Sequence, residues 1–202
     1  RQRSLPYEIR PFNDEWDALF FMQHYGVPTR LLDWTENPLT ALHFALMSAV
    51  RVKNTAGALY YPEPAAVWVM DPVAWNRHAL NRVHFAGGPL APGDEELNGL
   101  MYRLDYAGMN SLPVGLFGAY NSPRIVAQQG VFVIFGQDKV PMESLYDTEA
   151  FPVNCLIKIV LKATIIKTMR ASLLRQGVTE SVIFPDLGGL AMETRRHFGF
   201  DN

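Results

Sequence analysis

Apolar and polar positions along this chain fall into two periods, and the switches between them mark out the elements. Trp16, Leu19, Phe20 and Gln23 recur at the spacing of one helix face, with Asp14 and Glu15 where a helix N-terminus favours negative charge and Asn13 placed to cap it. Gly26 and Pro28 end that helix. Thr29 to Trp34 reads as a short strand. Asn37 followed by Pro38 is a strong start for a second helix, whose buried stripe is Leu42, Ala45, Leu46 and Ala49 and whose end falls near Val52.

The apolar run from Ala66 to Met70, closed by Asp71-Pro72, suits a strand followed by a capped helical segment through Trp75 to Leu80. Gly87 to Glu96 carries too much Gly and Pro for a regular element and reads as a long loop, more readily a surface excursion than a lid. In the C-terminal half, Gly130 to Gly136 and Val153 to Leu161 are the best strand candidates. The second alternates little, which predicts cover on both faces, so Phe132, Ile134, Ile157 and Val160 join Leu42 and Ala45 as expected core. Lys167 to Gln176, closed by Gly177, and Asp186 to His197 read as helices. With no internal repeat, the pattern predicts a single domain over residues 1–202 of class α+β: two small mixed or antiparallel sheets around a cleft, flanked by helices.

Composition narrows the function classes. A chain of 202 residues with 49% hydrophobic content can bury an independent core. A net charge of −2 and an isoelectric point near 6.2 leave no basic field for bulk nucleic-acid binding. The lone Cys155 lies in an apolar run and reads as a buried hydrophobe, and no spacing suggests a metal site. The absence of an 18-residue apolar stretch and of a leader signal points away from a membrane and towards the cytoplasm.

The densest chemistry lies between His24 and Thr35, where His, Arg, Asp and two Thr gather at a strand-to-helix junction. Arg30 and Asp33 are costly near an interior unless paired or bound to a ligand; Arg30 reads equally as part of an Arg30–Asp33 or Arg30–backbone clamp that fixes the turn and as a ligand-binding cation. His24 is either a hydrogen-bonded structural residue or a substrate contact, Thr35 a cap for the following helix or a ligand-facing hydroxyl, and Trp34 core or a stacking wall. Arg124, Gln128 and Gln129 form a second cluster before the strand at Gly130. The two Gln amides can bind a planar amide or a ribose but cannot act as a base. No Asp or Glu lies between Asp105 and Asp138, so chemistry centred on that strand lacks a carboxylate.

The run Gln23-His24-Tyr25-Gly26-Val27-Pro28-Thr29-Arg30-Leu31-Leu32-Asp33-Trp34-Thr35-Glu36-Asn37-Pro38, continued by Ala41-Leu42-His43-Phe44-Ala45, resembles the signature QHxGxPTRLLDWTxxPxxALxFA of the FRG domain family, a mostly bacterial and phage group. Pro123 to Phe132 and Ile183 to Ala191 resemble the family as well. The Phe/Tyr-Arg-Gly motif that names the family does not occur before Gln23, which makes the chain read as lacking that segment. In layout the pattern is similar to the ADP-ribosyltransferase superfamily, an analogy of fold alone. That resemblance implies NAD as a possible substrate, with Arg30, Asp33, Trp34, Arg124 and Gln128 binding it and Thr35, His24 and Gln129 in catalytic positions, Gln129 standing where the superfamily carries Glu. It also implies a bacterial or phage effector or toxin acting on a host or phage component, with a small nucleotide ligand or a protein target as its partner. A recognition module binding through His24, Arg30 and Gln129 without turnover is the alternative. A hydrolase using His24 and Asp33 is weaker, because no Ser or Cys nucleophile motif accompanies them.

Overall fold

Local hydrogen bonding sets the element boundaries in the computed structural model, which describes residue 12 and residues 14–81, 84–99, 110–119 and 122–200. Asp14 caps α1 (Glu15–His24), its carboxylate accepting from the Asp17 amide at 2.8 Å; Asn13, expected in that role, lies outside the described residues. The Thr29 hydroxyl donates to Gln23 Oε1 at 2.5 Å and accepts from the Leu31 amide at 3.0 Å, so the chain turns there and β1 (Leu31–Thr35) begins two residues later than the pattern suggested. Asn37 caps α2 (Pro38–Met47). That helix stops well short of Val52 because the Ser48 hydroxyl folds back on the Phe44 carbonyl at 2.7 Å. β2 (Val52–Lys53) then pairs with β3 (Leu59–Tyr60) around a turn held by Asn54 Oδ1, with Gly57 at φ +78°.

β4 (Ala65–Met70) and α3 (Pro72–Ala79), capped by Asp71, follow as the pattern predicts. A 3-10 turn at Glu95–Gly99 leads to β5 (Val114–Phe117), α4 (Pro123–Gln128), β6 (Gly130–Ile134) and α5 (Met142–Thr148). β7 (Leu156–Leu161), α6 (Ala163–Arg175), α7 (Glu180–Ile183) and α8 (Leu187–His197) complete the described chain. The segment from Gly87 to Glu96 is not a free excursion. Leu90 is buried and bridges to β5, donating to the Gly115 carbonyl at 3.1 Å and accepting from the Phe117 amide at 2.7 Å.

Among the described residues the named strands all pair antiparallel. One sheet has the order β1-β6-β5, a second is the ribbon β4-β7, and β2-β3 is a separate hairpin, so the architecture is α+β. The main core lies under the three-stranded sheet, where Phe20, Trp75, Leu116, Phe132 and Ile134 meet; a smaller one joins Leu46, Leu161, Ile166 and Leu173 between α2, α6 and the ribbon. Asn76, fully buried, completes the edge of β5 by donating to the Gly115 carbonyl at 2.8 Å and accepting from its amide at 2.7 Å. The ribbon corrects one expectation. Ile157 and Val160 are 42% and 55% exposed rather than core, because a two-stranded ribbon has layers to cover only the ends of β7, where Leu156 and Leu161 are buried.

Candidate functional site

The principal cavity, about 510 Å³, opens between the two sheets. β1 contributes Leu32 to Thr35, β4 contributes Ala66 to Trp68, α2 contributes Ala41, Phe44 and Ala45, and Phe132 of β6 lies at the base. Its polar end is built from Gln23 and His24 at the end of α1 and Arg124 and Gln128 on α4. A more open mouth of about 680 Å³ shares Gln23, His24, Asp33 and Arg124 with it, and a hollow of about 380 Å³ continues it past Trp34, Thr35 and Trp68. The volumes lie within the usual range of small-molecule sites, and mostly apolar walls with a few polar groups at one end are their usual character.

His24, Asp33, Trp34, Thr35, Arg124 and Gln128, drawn from two stretches of sequence about ninety residues apart, line this one cleft. What each can do depends on its existing bonds. The Thr35 hydroxyl donates to the Gln128 carbonyl at 2.6 Å and accepts from the Asn37 amide at 3.0 Å. Its one proton is committed to that bond, so the hydroxyl ties β1 to α4 and to the start of α2. Gln128 donates its side-chain Nε2 to the Ile183 carbonyl at 3.1 Å, which leaves its side-chain Oε1 as an acceptor. The Arg124 guanidinium lies 4.6 Å from the centre of the Phe184 ring. Burial and then the Arg124 charge pull the His24 pKa down, against a smaller opposing pull from Asp186, so the imidazole is neutral at pH 7 and offers one donor and one acceptor. Asp33 is exposed at the mouth and is the acidic side chain among the residues lining the principal cavity. Trp34 Nε1 is buried with no hydrogen-bond partner, an unsatisfied donor in a residue shared by the cavity and its continuation.

Two candidates stand outside the cleft lining. Arg30 is a clamp on the sheet: its Nη1 donates to the Phe135 carbonyl at 2.8 Å, and its own carbonyl accepts from the Phe135 amide at 2.9 Å. Gln129 is the C-cap of α4, in the left-handed region at φ 47°, with its carbonyl accepting from the Glu36 amide at 3.0 Å and its side chain exposed. The reversal at the helix end separates it from its neighbour Gln128, so the two amides do not share a site.

Sequence reasoning missed a buried polar cluster behind the cleft. His43, 1% exposed on α2, has an unpartnered Nδ1 and a pKa lowered first by burial, with Glu180 opposing and Arg170 adding to the fall. Glu180 is buried and accepts twice from Arg196 Nε, both bonds 2.9 Å. The signal was faint: a His between the apolar positions of α2, and a Glu in a first helical turn that reads as an ordinary end charge. Among the described residues no group of three or more His, Cys, Asp or Glu side chains is arranged to hold a metal ion.

Fold and site define an α+β domain with a ligand-sized, aromatic-walled cleft between two antiparallel sheets. Within it, residues 1–54 match the family model described as the FRG domain, and that stretch supplies α1, β1 and α2, one side of the cleft. No curated protein and no solved structure matches the chain. No helix among the described residues is long and apolar enough to cross a membrane.

Proposed function

We propose that the cleft binds a nucleotide-class ligand, NAD foremost, in a domain of ADP-ribosyltransferase-like layout. The observation that carries this reading is the convergence on one cavity of flat apolar walls (Trp34, Trp68, Phe44) and a polar end holding a fixed cation, Arg124, beside a neutral imidazole, His24. Aromatic faces suit a base or a nicotinamide ring, and a guanidinium suits a phosphate. Breaking the nicotinamide–ribose bond leaves positive charge on the ribose, which needs a negative charge beside it. Gln129 cannot provide that charge by type, and it does not line the cavity. In the catalytic reading the role therefore passes to Asp33. The position of Gln129 equally favours the second reading, recognition of the ligand without turnover, with a protein as the downstream partner.

Titration calorimetry with NAD and ADP-ribose, together with chromatographic detection of nicotinamide, tests both. Binding with nicotinamide release that disappears in Asp33→Asn supports the enzyme. Binding without release supports the recognition module. A protein that binds neither nucleotide refutes the proposal.

A further inference from the structure

The segment from Ile183, the last residue of α7, to Asp186, the cap of α8, lies outside the cleft lining yet acts on four residues of it. The Phe184 ring carries the Arg124 guanidinium at 4.6 Å and meets the Phe44 ring edge-on at 5.8 Å. The Ile183 carbonyl accepts from Gln128 Nε2, and the Asp186 carboxylate pulls on the His24 equilibrium. The turn is itself held hard. Asp186 accepts from the Gly189 amide at 2.8 Å, the Phe184 amide donates to the Glu180 carbonyl at 2.8 Å, and Arg196 grips Glu180 from behind. A Cβ at Gly189 would fall 1.9 Å from the Phe184 carbonyl oxygen, so α8 crosses Phe184 at a distance only glycine allows.

We propose that the α7–α8 turn is a latch that sets the polar wall of the cleft, with Phe184 as a positioning residue whose ring holds the Arg124 guanidinium where it meets an anionic ligand group. The ligand role rests on the reading of the cleft as a nucleotide site; the placement of Arg124 does not. If Phe184 merely filled space, a leucine would serve as well. A guanidinium held by a ring face needs the ring.

The intact protein is compared with Phe184→Leu and Phe184→Tyr in two measurements: the NMR titration midpoint of the His24 ring without ligand, and calorimetric affinity for NAD. Burial and then the Arg124 charge hold the His24 pKa down, so releasing the guanidinium is expected to raise the midpoint. Phe184→Leu is expected to raise the midpoint and to weaken NAD binding about two- to fivefold, the range of one partly exposed cation–π contact, while Phe184→Tyr keeps both values. Should Phe184→Leu fail to fold, Phe184→Met makes the same test. A His24 midpoint unchanged in the aliphatic variant overturns the latch. If wild-type protein does not bind NAD, the nucleotide reading falls, and the His24 midpoints alone decide the latch.

Discussion

Replacing Thr35 by Val removes a hydroxyl and keeps the shape, and the expected result is a loss of stability. The hydroxyl makes two hydrogen bonds, 2.6 Å to the Gln128 carbonyl and 3.0 Å from the Asn37 amide, and so ties the end of β1 to the end of α4 and to the cap of α2. Each bond contributes about 0.5–1.5 kcal/mol net, and the variant leaves one acceptor and one donor partly buried without partners, so the total cost is about 2 kcal/mol. In a domain of this length each kcal/mol moves the melting temperature by about 2–4 °C, giving a fall of about 4–8 °C. Urea unfolding should show a lower midpoint with an unchanged slope, and Thr35→Ser, which keeps the hydroxyl, should recover most of the loss. A Val variant that unfolds at the wild-type midpoint, or a Ser variant as weak as Val, would refute this tie and return Thr35 to the candidates for ligand contact.

Two further outcomes follow from the site. His24 and His43 both have pKa values depressed in the fold, so the unfolded chain takes up protons first as pH falls below about 6.5; stability is full above that value and declines below it until the depressed folded-state values are passed. Urea midpoints measured from pH 7.5 to 5 should show this slope, and His43→Gln should flatten it; a wild-type midpoint constant across the range would contradict the burial argument. Gln129 carries a non-glycine left-handed backbone and an exposed side chain, so Gln129→Gly should raise the melting temperature, with a gain of up to about 1 kcal/mol, and leave NAD affinity unchanged. A loss of affinity in that variant would put Gln129 back in the site.

How much was legible in the sequence followed from how locally each feature is determined. Asn37-Pro38 and Asp71-Pro72 satisfy their own helix ends within three residues, and both helices start where the pattern puts them. β5, α4 and α5 are four to seven residues long, too short for a period to emerge, and they exist because they are packed against other elements. The density of polar residues between His24 and Thr35 located one side of the cleft. It could not separate Arg30 from its neighbours, because the carbonyl that engages Arg30 belongs to Phe135. Nor could it tell Gln128 from Gln129, since a single left-handed residue decides which of two adjacent identical side chains reaches the cavity. The hydrophobic run of β7 predicted burial from composition, but burial depends on how many layers a sheet has, and that is a tertiary quantity.

The strand order β1-β6-β5 has a consequence for how the chain acquires its cleft. Leu31 pairs with Ile134 and Ala65 with Leu161, so each half of the cleft waits for a partner strand made about a hundred residues later, a lag of about 5–20 s at ordinary rates of synthesis. Long-range pairing of this kind also slows the search for the native state once the chain is free. Among the described residues of the stretch 1–54 that matches the family model, β1 is the strand of the three-stranded sheet, and it has no neighbour in that sheet until β6 exists. A nascent chain halted before residue 130 would leave Leu31 and Trp34 without the strand that pairs with theirs.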